Sequence, residues 1–383
     1  MVDFLPFSIH SCWGIITLDA YLDINPLMAT TTPLINAIAR KIERRLILFL
    51  KLLKKITIIF TAKLTNKRFY CNALNGLSDY SISVLCDMSV SCNAMDFDRS
   101  GYIGDLSKQS LTDIFNGPIV KKFRKKLANG ILPTITCSRC IELRIIDKND
   151  ASYYEQNFTT PHLGIKIENT SNCNLNCLSC SRLNVSQNRT KTSLSLEDIK
   201  KLSLMLKEHN IALLSYYNLG EPFLSSTIYE ELKILRKHNP NIYIHISTNG
   251  FLLDQKQNIE AALLIDHITF SIDGIDNNTV QKYQQNGSFQ KSYNNMKDLV
   301  KYRNSKGLKK PEIEWKYVLF NWNDKKDMIY TAIDSAKQAN VDLISFWPTI
   351  TPLYGISWRY FFGNYFNTIG TPSQDHSGRE IIF

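Results

Sequence analysis

Three cysteines fall within the stretch Cys173-Asn174-Leu175-Asn176-Cys177-Leu178-Ser179-Cys180. They directly follow a strand-like run, Gly164-Ile165-Lys166-Ile167-Glu168. A compact loop with sulfurs at i, i+4 and i+7 can turn three thiolates toward one point. Thiolates are soft ligands that select zinc or an iron–sulfur cluster. A structural zinc site wants a fourth protein ligand close by. The residues that follow supply neither Cys nor His. Three sulfurs without a fourth suit a cubane cluster with one iron left open for a small molecule, which is a catalytic arrangement.

A second group of cysteines precedes the first. Cys137-Ser138-Arg139-Cys140 has pair spacing that serves redox chemistry, zinc or a cluster. With Cys71 and Cys92 it offers four soft ligands from a hairpin and a loop. A four-cysteine zinc knuckle and a cluster both fit that set. Cys86 precedes the turn at Asp87-Met88-Ser89, and alternation points it differently from Cys92. It reads as a buried free thiol. His245 and His267 read as satisfied barrel residues rather than metal ligands. Tyr216 and Tyr217 are adjacent on one strand, so one packs and the other faces a pocket.

The elements that must position these residues start with a basic segment. The chain has 383 residues, a formal charge of +10 and nine cysteines. Disulfide frameworks belong to far shorter secreted chains, so the cysteines imply a reducing cytoplasm. No zinc-finger spacing or helix-turn-helix supports a specific nucleic-acid partner. Residues 1–32 lack a positive segment ahead of a small-residue cleavage site, so no signal peptide is expected. Residues 34–60 look helical. The apolar run 46–56 is interrupted by Lys51, Lys54 and Lys55 and falls short of a transmembrane span. It can pack on the rest of the chain with its lysines outward, or lie on an anionic membrane at the inner face.

Beyond it, Ile82-Ser83-Val84-Leu85 and Val90-Ser91-Cys92 read as paired short strands. Asp96, Asp98, Gly101, Gly104 and Asp105 follow. Pro118 and the run from Lys121 to Lys126 open a helix that stops near Gly130 and Pro133. From residue 164 the pattern alternates strand and helix. Ser195 caps a helix starting at Leu196, with Asp198 in the reciprocal position. Strands are expected at Ile211–Tyr217, Ile242–Ser247, His267–Ile272, Ile313–Phe320 and Val341–Phe346. Helices are expected from Thr227 to His238 and from Phe289. The fold class is therefore α/β: a partial (β/α)6 barrel of parallel strands, preceded by a small cysteine-rich domain. The expected divisions are 1–68, a basic extension; 69–150, the cysteine-rich region; 160–350, the barrel; and 351–383, a C-terminal extension.

The order of motifs resembles the core of the radical S-adenosylmethionine (SAM) enzymes over residues 160–350. Cys173, Cys177 and Cys180 resemble the family's cluster motif. Leu219-Gly220-Glu221-Pro222 resembles its Gly-Gly-Glu-Pro turn, with Leu219 at the first glycine. Ser247-Thr248-Asn249-Gly250 resembles the third-strand motif, and Ser271 with Asp273 the fourth-strand motif. Asn323 follows the fifth strand. Ser179 stands where the family commonly has an aromatic residue. Residues 87–92, 101–106, 110–115 and 137–140 resemble the SPASM or twitch auxiliary-cluster module, here placed ahead of the barrel. Gly355 to Arg359, with Gly370 and Gly378-Arg379, resembles proteins with that reversed order.

The resemblance implies a [4Fe–4S] cluster with an open iron on Cys173, Cys177 and Cys180. It implies SAM bound near Gly220, Glu221, Pro222, Asn249, Ser271, Asp273 and Asn323. It further implies an auxiliary [4Fe–4S] cluster on Cys71, Cys92, Cys137 and Cys140, which makes the small cysteine-rich domain an auxiliary-cluster domain. An external one-electron donor such as flavodoxin or ferredoxin would reduce the core cluster, and the cleaved cofactor would abstract a substrate hydrogen. The expected substrate is a peptide or small natural-product precursor that is oxidised, crosslinked or epimerised, Cys86 being a hydrogen donor if it reaches the pocket. Two alternatives stand: a carbohydrate or aminocyclitol dehydrogenase or epimerase, and a non-catalytic iron–sulfur or zinc protein.

Overall fold

The computed structural model describes residues 33–78, 82–92, 99–182, 188–361, 373–374 and 380–382. The expectations for residues 1–32, Asp96, Asp98, Gly370, Gly378 and Arg379 lie outside the described residues. The chain forms two compact units, Met1–Leu50 and Lys51–Phe383. Helix α1, Pro33–Leu64, has residues in both.

The second unit continues with β1 (Lys67–Cys71), β2 (Ser83–Val84), β3 (Ser89–Ser91) and β4 (Tyr102–Asp105). Helices α2 (Leu111–Phe115) and α3 (Pro118–Ala128), β5 (Leu143–Asp147) and α4 (Ala151–Gln156) follow. Strands β1 and β5 make their own two-stranded antiparallel ribbon. The expected hairpin is present: Ser83 faces Ser91 and Val84 faces Val90. Pro at the start of α3 supplies the fixed φ that a first helical turn wants and lacks only a donor that would be unbonded there.

The barrel strands are β6 (Gly164–Ile167), β7 (Leu213–Ser215), β8 (Tyr243–Thr248), β9 (His267–Ser271), β10 (Glu312–Leu319) and β11 (Leu343–Pro348). All neighbouring pairs among them are parallel. Between them run α5 (Leu196–Glu208), α6 (Ile228–His238), α7 (Lys256–Ala262), α8 (Asn277–Gln281), α9 (Phe289–Ser305) and α10 (Lys326–Ala339). These six parallel strands and their helices make a partial (β/α)6 barrel. Ser195 and Asp198 form the reciprocal cap at the start of α5.

Strand alternation sorts the side chains into two layers. Ile165, Ile167, Leu214, Ile244, Ile246, Ile268, Phe270, Ile313, Trp315 and Phe346 belong to the buried core. Burial of each such side chain contributes about 1.5–3 kcal/mol. The other face carries Lys166, His245, Ser247, His267, Thr269, Glu314, Lys316 and Ser345, so the barrel interior is polar.

The cysteine-rich segment is continuous with this sheet. Strand β2 pairs in parallel with β6, Ser83 facing Lys166 and Val84 facing Ile167, and β3 and β4 extend that edge. At the other edge β13 (Glu380–Ile382) pairs antiparallel with β11, and β12 (Ser373–Gln374) with β13.

Candidate active site

Strand β6 delivers the chain into an anchored turn. Glu168 is fully buried, 3.1 Å from Arg189 Nε, and accepts a 3.1 Å hydrogen bond from Asn218. Asn169 Nδ2 donates to the Pro222 carbonyl and to Glu231, each at 3.2 Å. Glu231 also accepts from the Tyr216 hydroxyl at 2.6 Å, tying the ends of β6 and β7 to α6. Tyr216 packs in the core, while Tyr217 stacks edge-on against His245.

The thiol loop that follows is strapped from one side. Asn176 N–H donates to the Gln285 carbonyl at 3.1 Å and Leu178 N–H to the Tyr283 carbonyl at 3.0 Å. Cys180 N–H closes back onto the Cys177 carbonyl. Cys173 Sγ accepts from Leu175 N–H at 3.4 Å. The three thiols are each half-buried. Burial first, then the Asp273 carboxylate and the sulfurs of Cys180 and Cys173, push the Cys177 thiol well above its usual range. Burial also raises Cys173. Free thiols held in this way lose their protons when a metal binds.

The turn after β7 docks on this loop. A Cβ at Gly220 would lie 2.0 Å from the Thr170 carbonyl oxygen and 2.8 Å from that of Asn172. Glycine is required by that backbone approach. Glu221 N–H then donates to the Asn172 carbonyl at 2.8 Å. The Glu221 carboxylate is buried and accepts from Thr248 Oγ1 at 2.7 Å, Asn249 N–H at 2.8 Å and Phe223 N–H at 3.3 Å. Burial pushes its pKa up to about 7 against those hydrogen bonds. Pro222 is buried beside it.

The β8 end is thereby clamped to the β7 end, and Asn249 is aimed at the thiols. Its Nδ2 donates to Asn174 Oδ1 at 2.8 Å and lies 3.9 Å from Cys173 Sγ. Ser271 closes β9 on the interior face. Asp273 is buried two residues later and accepts from Val318 N–H at 3.0 Å. Burial pushes it up to about 6, opposed by the Lys316 ammonium and that hydrogen bond.

Residues 167–308 match a family model described as the radical SAM superfamily. The chain carries a radical SAM domain. No curated protein matches the sequence significantly. Solved structures that align include BtrN in complex with AdoMet and 2-DOIA, at 24% identity over 28% of this chain and 44% of that one, TM-score 0.26. Native anSMEcpe with bound AdoMet aligns at 18% identity over 48% and 50%, TM-score 0.37. Coproporphyrinogen III oxidase (HemN) from Escherichia coli aligns at 12% identity over 40% and 36%, TM-score 0.29. The chain spans about half or less of these structures' lengths. The superfamily implies a [4Fe–4S] cluster, bound SAM and its reductive cleavage. The donors of the radical SAM domain fit: three soft sulfurs share one loop that contains no fourth Cys or His.

Asn323 lies just after the end of β10, fully buried, where its side chain holds the backbone. Nδ2 donates to the carbonyls of Asp273 and Val318, each at 2.9 Å, and Oδ1 accepts from Phe320 N–H at 2.6 Å. It clamps the loops after β9 and β10.

The sequence reading also passed over Tyr283. Its ring packs 4.6 Å from Phe320, which stacks on Trp322 at 4.6 Å. Burial, reinforced by the charges of Cys177, Asp273 and Cys180, raises the Tyr283 hydroxyl, and the Tyr283 carbonyl accepts from Leu178 N–H of the thiol loop at 3.0 Å. No local motif marks it. An aromatic residue thus stands beside the cysteines although Ser179 is not aromatic.

The barrel interior holds a closed polar network. His245, His267 and Glu314 bring ligand-type atoms within 4.8 Å of one another. Those of His245 and Glu314 are engaged in hydrogen bonds. His245 Nε2 pairs with Thr269 Oγ1 at 2.8 Å, and Thr269 donates to Glu314 at 2.7 Å. His267 Nε2 lies 3.0 Å from Glu314 but makes no hydrogen bond among the described residues. Burial raises the Glu314 carboxyl, but His267 and Ser345 outweigh it and hold the group below its usual range.

Cys71, Cys92, Cys137 and Cys140 line one cavity with Phe123 and Thr134. Cys71 ends β1, Cys92 follows β3, and Cys137 lies within a single 3-10 turn, Thr136–Arg139, that Cys140 ends. Burial, reinforced by the charges of Cys140 and Cys137, raises the Cys71 thiol far above its usual range. Thr134 Oγ1 lies 3.3 Å from Cys137 Sγ. Cys86 is elsewhere: its buried thiol donates to the Lys191 carbonyl at 3.2 Å.

Proposed function

We propose that the chain is a radical SAM enzyme acting on a peptide or small natural-product precursor, which it oxidises, crosslinks or epimerises. Cys173, Cys177 and Cys180 hold the core cluster in this reading. Gly220, Glu221 and Pro222 shape the turn for the methionine amino group, and Asn249, Ser271 and Asp273 contribute polar groups around the cofactor. Bound there, cluster and cofactor supply one-electron cleavage of the C5′–S bond and removal of hydrogen from an unactivated C–H bond.

The remaining residues order and exclude. Glu221 fixes the β7 and β8 ends so that the three-thiol loop needs little rearrangement. Lys166, Tyr217, Ser247, Lys316 and Trp347 line the polar interior that would orient substrate. Cys71, Cys92, Cys137 and Cys140 hold an auxiliary cluster that accepts or relays an electron, and a flavodoxin- or ferredoxin-like donor reduces the core. A carbohydrate or aminocyclitol substrate is the second reading, favoured by the hydroxyls and charges of the barrel interior.

The convergence of the β6, β7 and β8 ends on one three-thiol loop carries the proposal. Its test is anaerobic reconstitution of the full chain, followed by SAM and dithionite. Formation of 5′-deoxyadenosine and methionine is expected, and none from the C173A/C177A/C180A variant. Equal product from that variant, or none from a fully loaded wild type, would reject it.

A further inference from the structure

Helix α1 presents two faces of different use. Toward the core, Ile58 and Ile59 pack against the buried cluster, Ala62 is buried, and the Lys51 carbonyl accepts from Ser138 Oγ at 3.3 Å. Opposite them, at three- and four-residue spacing, stand Leu53, Ile56, Phe60 and Leu64. Their exposures are 44%, 56%, 61% and 71%. Residues spaced in this way share one side of a helix. The same spacing continues upstream in the sequence through Phe49, Leu46 and Ile42, each of them exposed.

The charges along this helix are mostly positive. From residue 41 to residue 68 the chain contains Lys41, Arg44, Arg45, Lys51, Lys54, Lys55, Lys63, Lys67 and Arg68 against Glu43 as its one acidic residue, Lys67 being paired with Asp147 at 2.8 Å. Among the described residues, no helix is long and apolar enough to cross a membrane. A second copy of the helix would set cations against cations. An anionic bilayer offers both an apolar boundary for the stripe and opposite charge for the lysines.

We propose that α1 docks the protein on an anionic lipid surface, with Leu53, Ile56, Phe60 and Leu64 entering the headgroup boundary and Lys54 and Lys63 facing the phosphates. This is independent of the catalytic proposal. The test is co-sedimentation of the full-length, cluster-loaded protein with vesicles of phosphatidylcholine alone or with three parts in ten phosphatidylglycerol. At least about tenfold tighter binding to the anionic vesicles is expected, weakening as salt screens the lysines. I56S/F60S should abolish it and K54E/K63E should weaken it, with iron content and melting temperature unchanged in both. Equal affinity for neutral vesicles, or no binding, would overturn the proposal. A concentration-dependent dimer removed by I56S/F60S would instead assign the stripe to self-association and also overturn it.

Discussion

Replacing Gly220 with Ala tests how the strand ends position the thiols. The added carbon would sit 2.0 Å from the Thr170 oxygen, 2.7 Å from the Thr170 carbonyl carbon and 2.8 Å from the Asn172 oxygen. All three are backbone atoms, so no side chain can swing away. Comfortable separation of nonbonded heavy atoms is about 3.5 Å, so the two loops must part by more than about 1 Å. Such overpacking costs about 1–3 kcal/mol. Losing the Glu221 N–H bond to Asn172 would add about 1 kcal/mol. Because Asn172 immediately precedes Cys173, the displacement reaches the first thiol. Anaerobic thermal denaturation should show G220A destabilised by about 2–4 kcal/mol in total. Iron analysis should show loss from the three-cysteine site and retention at the four-cysteine site. Unchanged stability and iron would refute the packing argument. Lost stability with full iron would refute the coupling of this turn to the thiol loop.

Other expectations concern residues away from that turn. Cys86, whose buried thiol is pushed up to about 12, should resist iodoacetamide at pH 8 in the folded protein. C86A should keep all bound iron, and loss of about half would make Cys86 a ligand. R189M should cost about 3–5 kcal/mol in urea denaturation, because it leaves Glu168 charged and fully buried. E168Q/R189M should recover part of that, and an additive double variant would contradict the pairing. Asp266 is partly buried, which raises its carboxyl. Lys310 at 2.6 Å, Arg236 and the Ile244 N–H nevertheless bring it below its usual range. Its stabilising effect is therefore complete above the unfolded carboxylate pKa of about 3.9 and fades as pH falls through the lower folded value. D266N should show a shallower stability loss than wild type across that acid window, and parallel curves would refute the assignment.

The barrel was legible because its signals are local. Ile165 and Ile167, Ile244 and Ile246, and Ile313 and Trp315 mark strands by period-two burial, and Ser195 with Asp198 marks a helix start. The thiol loop was legible from spacing alone. The pairing of β2 with β6 was not, because it joins residues 83 and 166 across the whole cysteine-rich segment. Strand β7 is also shorter than its apolar run, Leu213–Ser215 within residues 211–217. The backbone role of Asn323 was not legible, because a strand-end Asn can serve a ligand or satisfy a turn, and only the distances to Asp273, Val318 and Phe320 show its side chain bonded to the turn. Tyr283 was silent because its place beside the cysteines depends on how the chain after α8 folds back. The helix expected over 34–60 runs on to Leu64, since no Gly or Pro interrupts it there.

Metal analysis of the two cysteine sets tests the central claim most directly. Anaerobically reconstituted protein should hold about eight irons and eight sulfides per chain, the content of two [4Fe–4S] clusters. C173A/C177A/C180A should fall to about four, and C71A/C92A/C137A/C140A should also fall to about four. Tightly bound zinc with little iron, or a C173A/C177A/C180A variant that keeps the full iron count, would contradict the account.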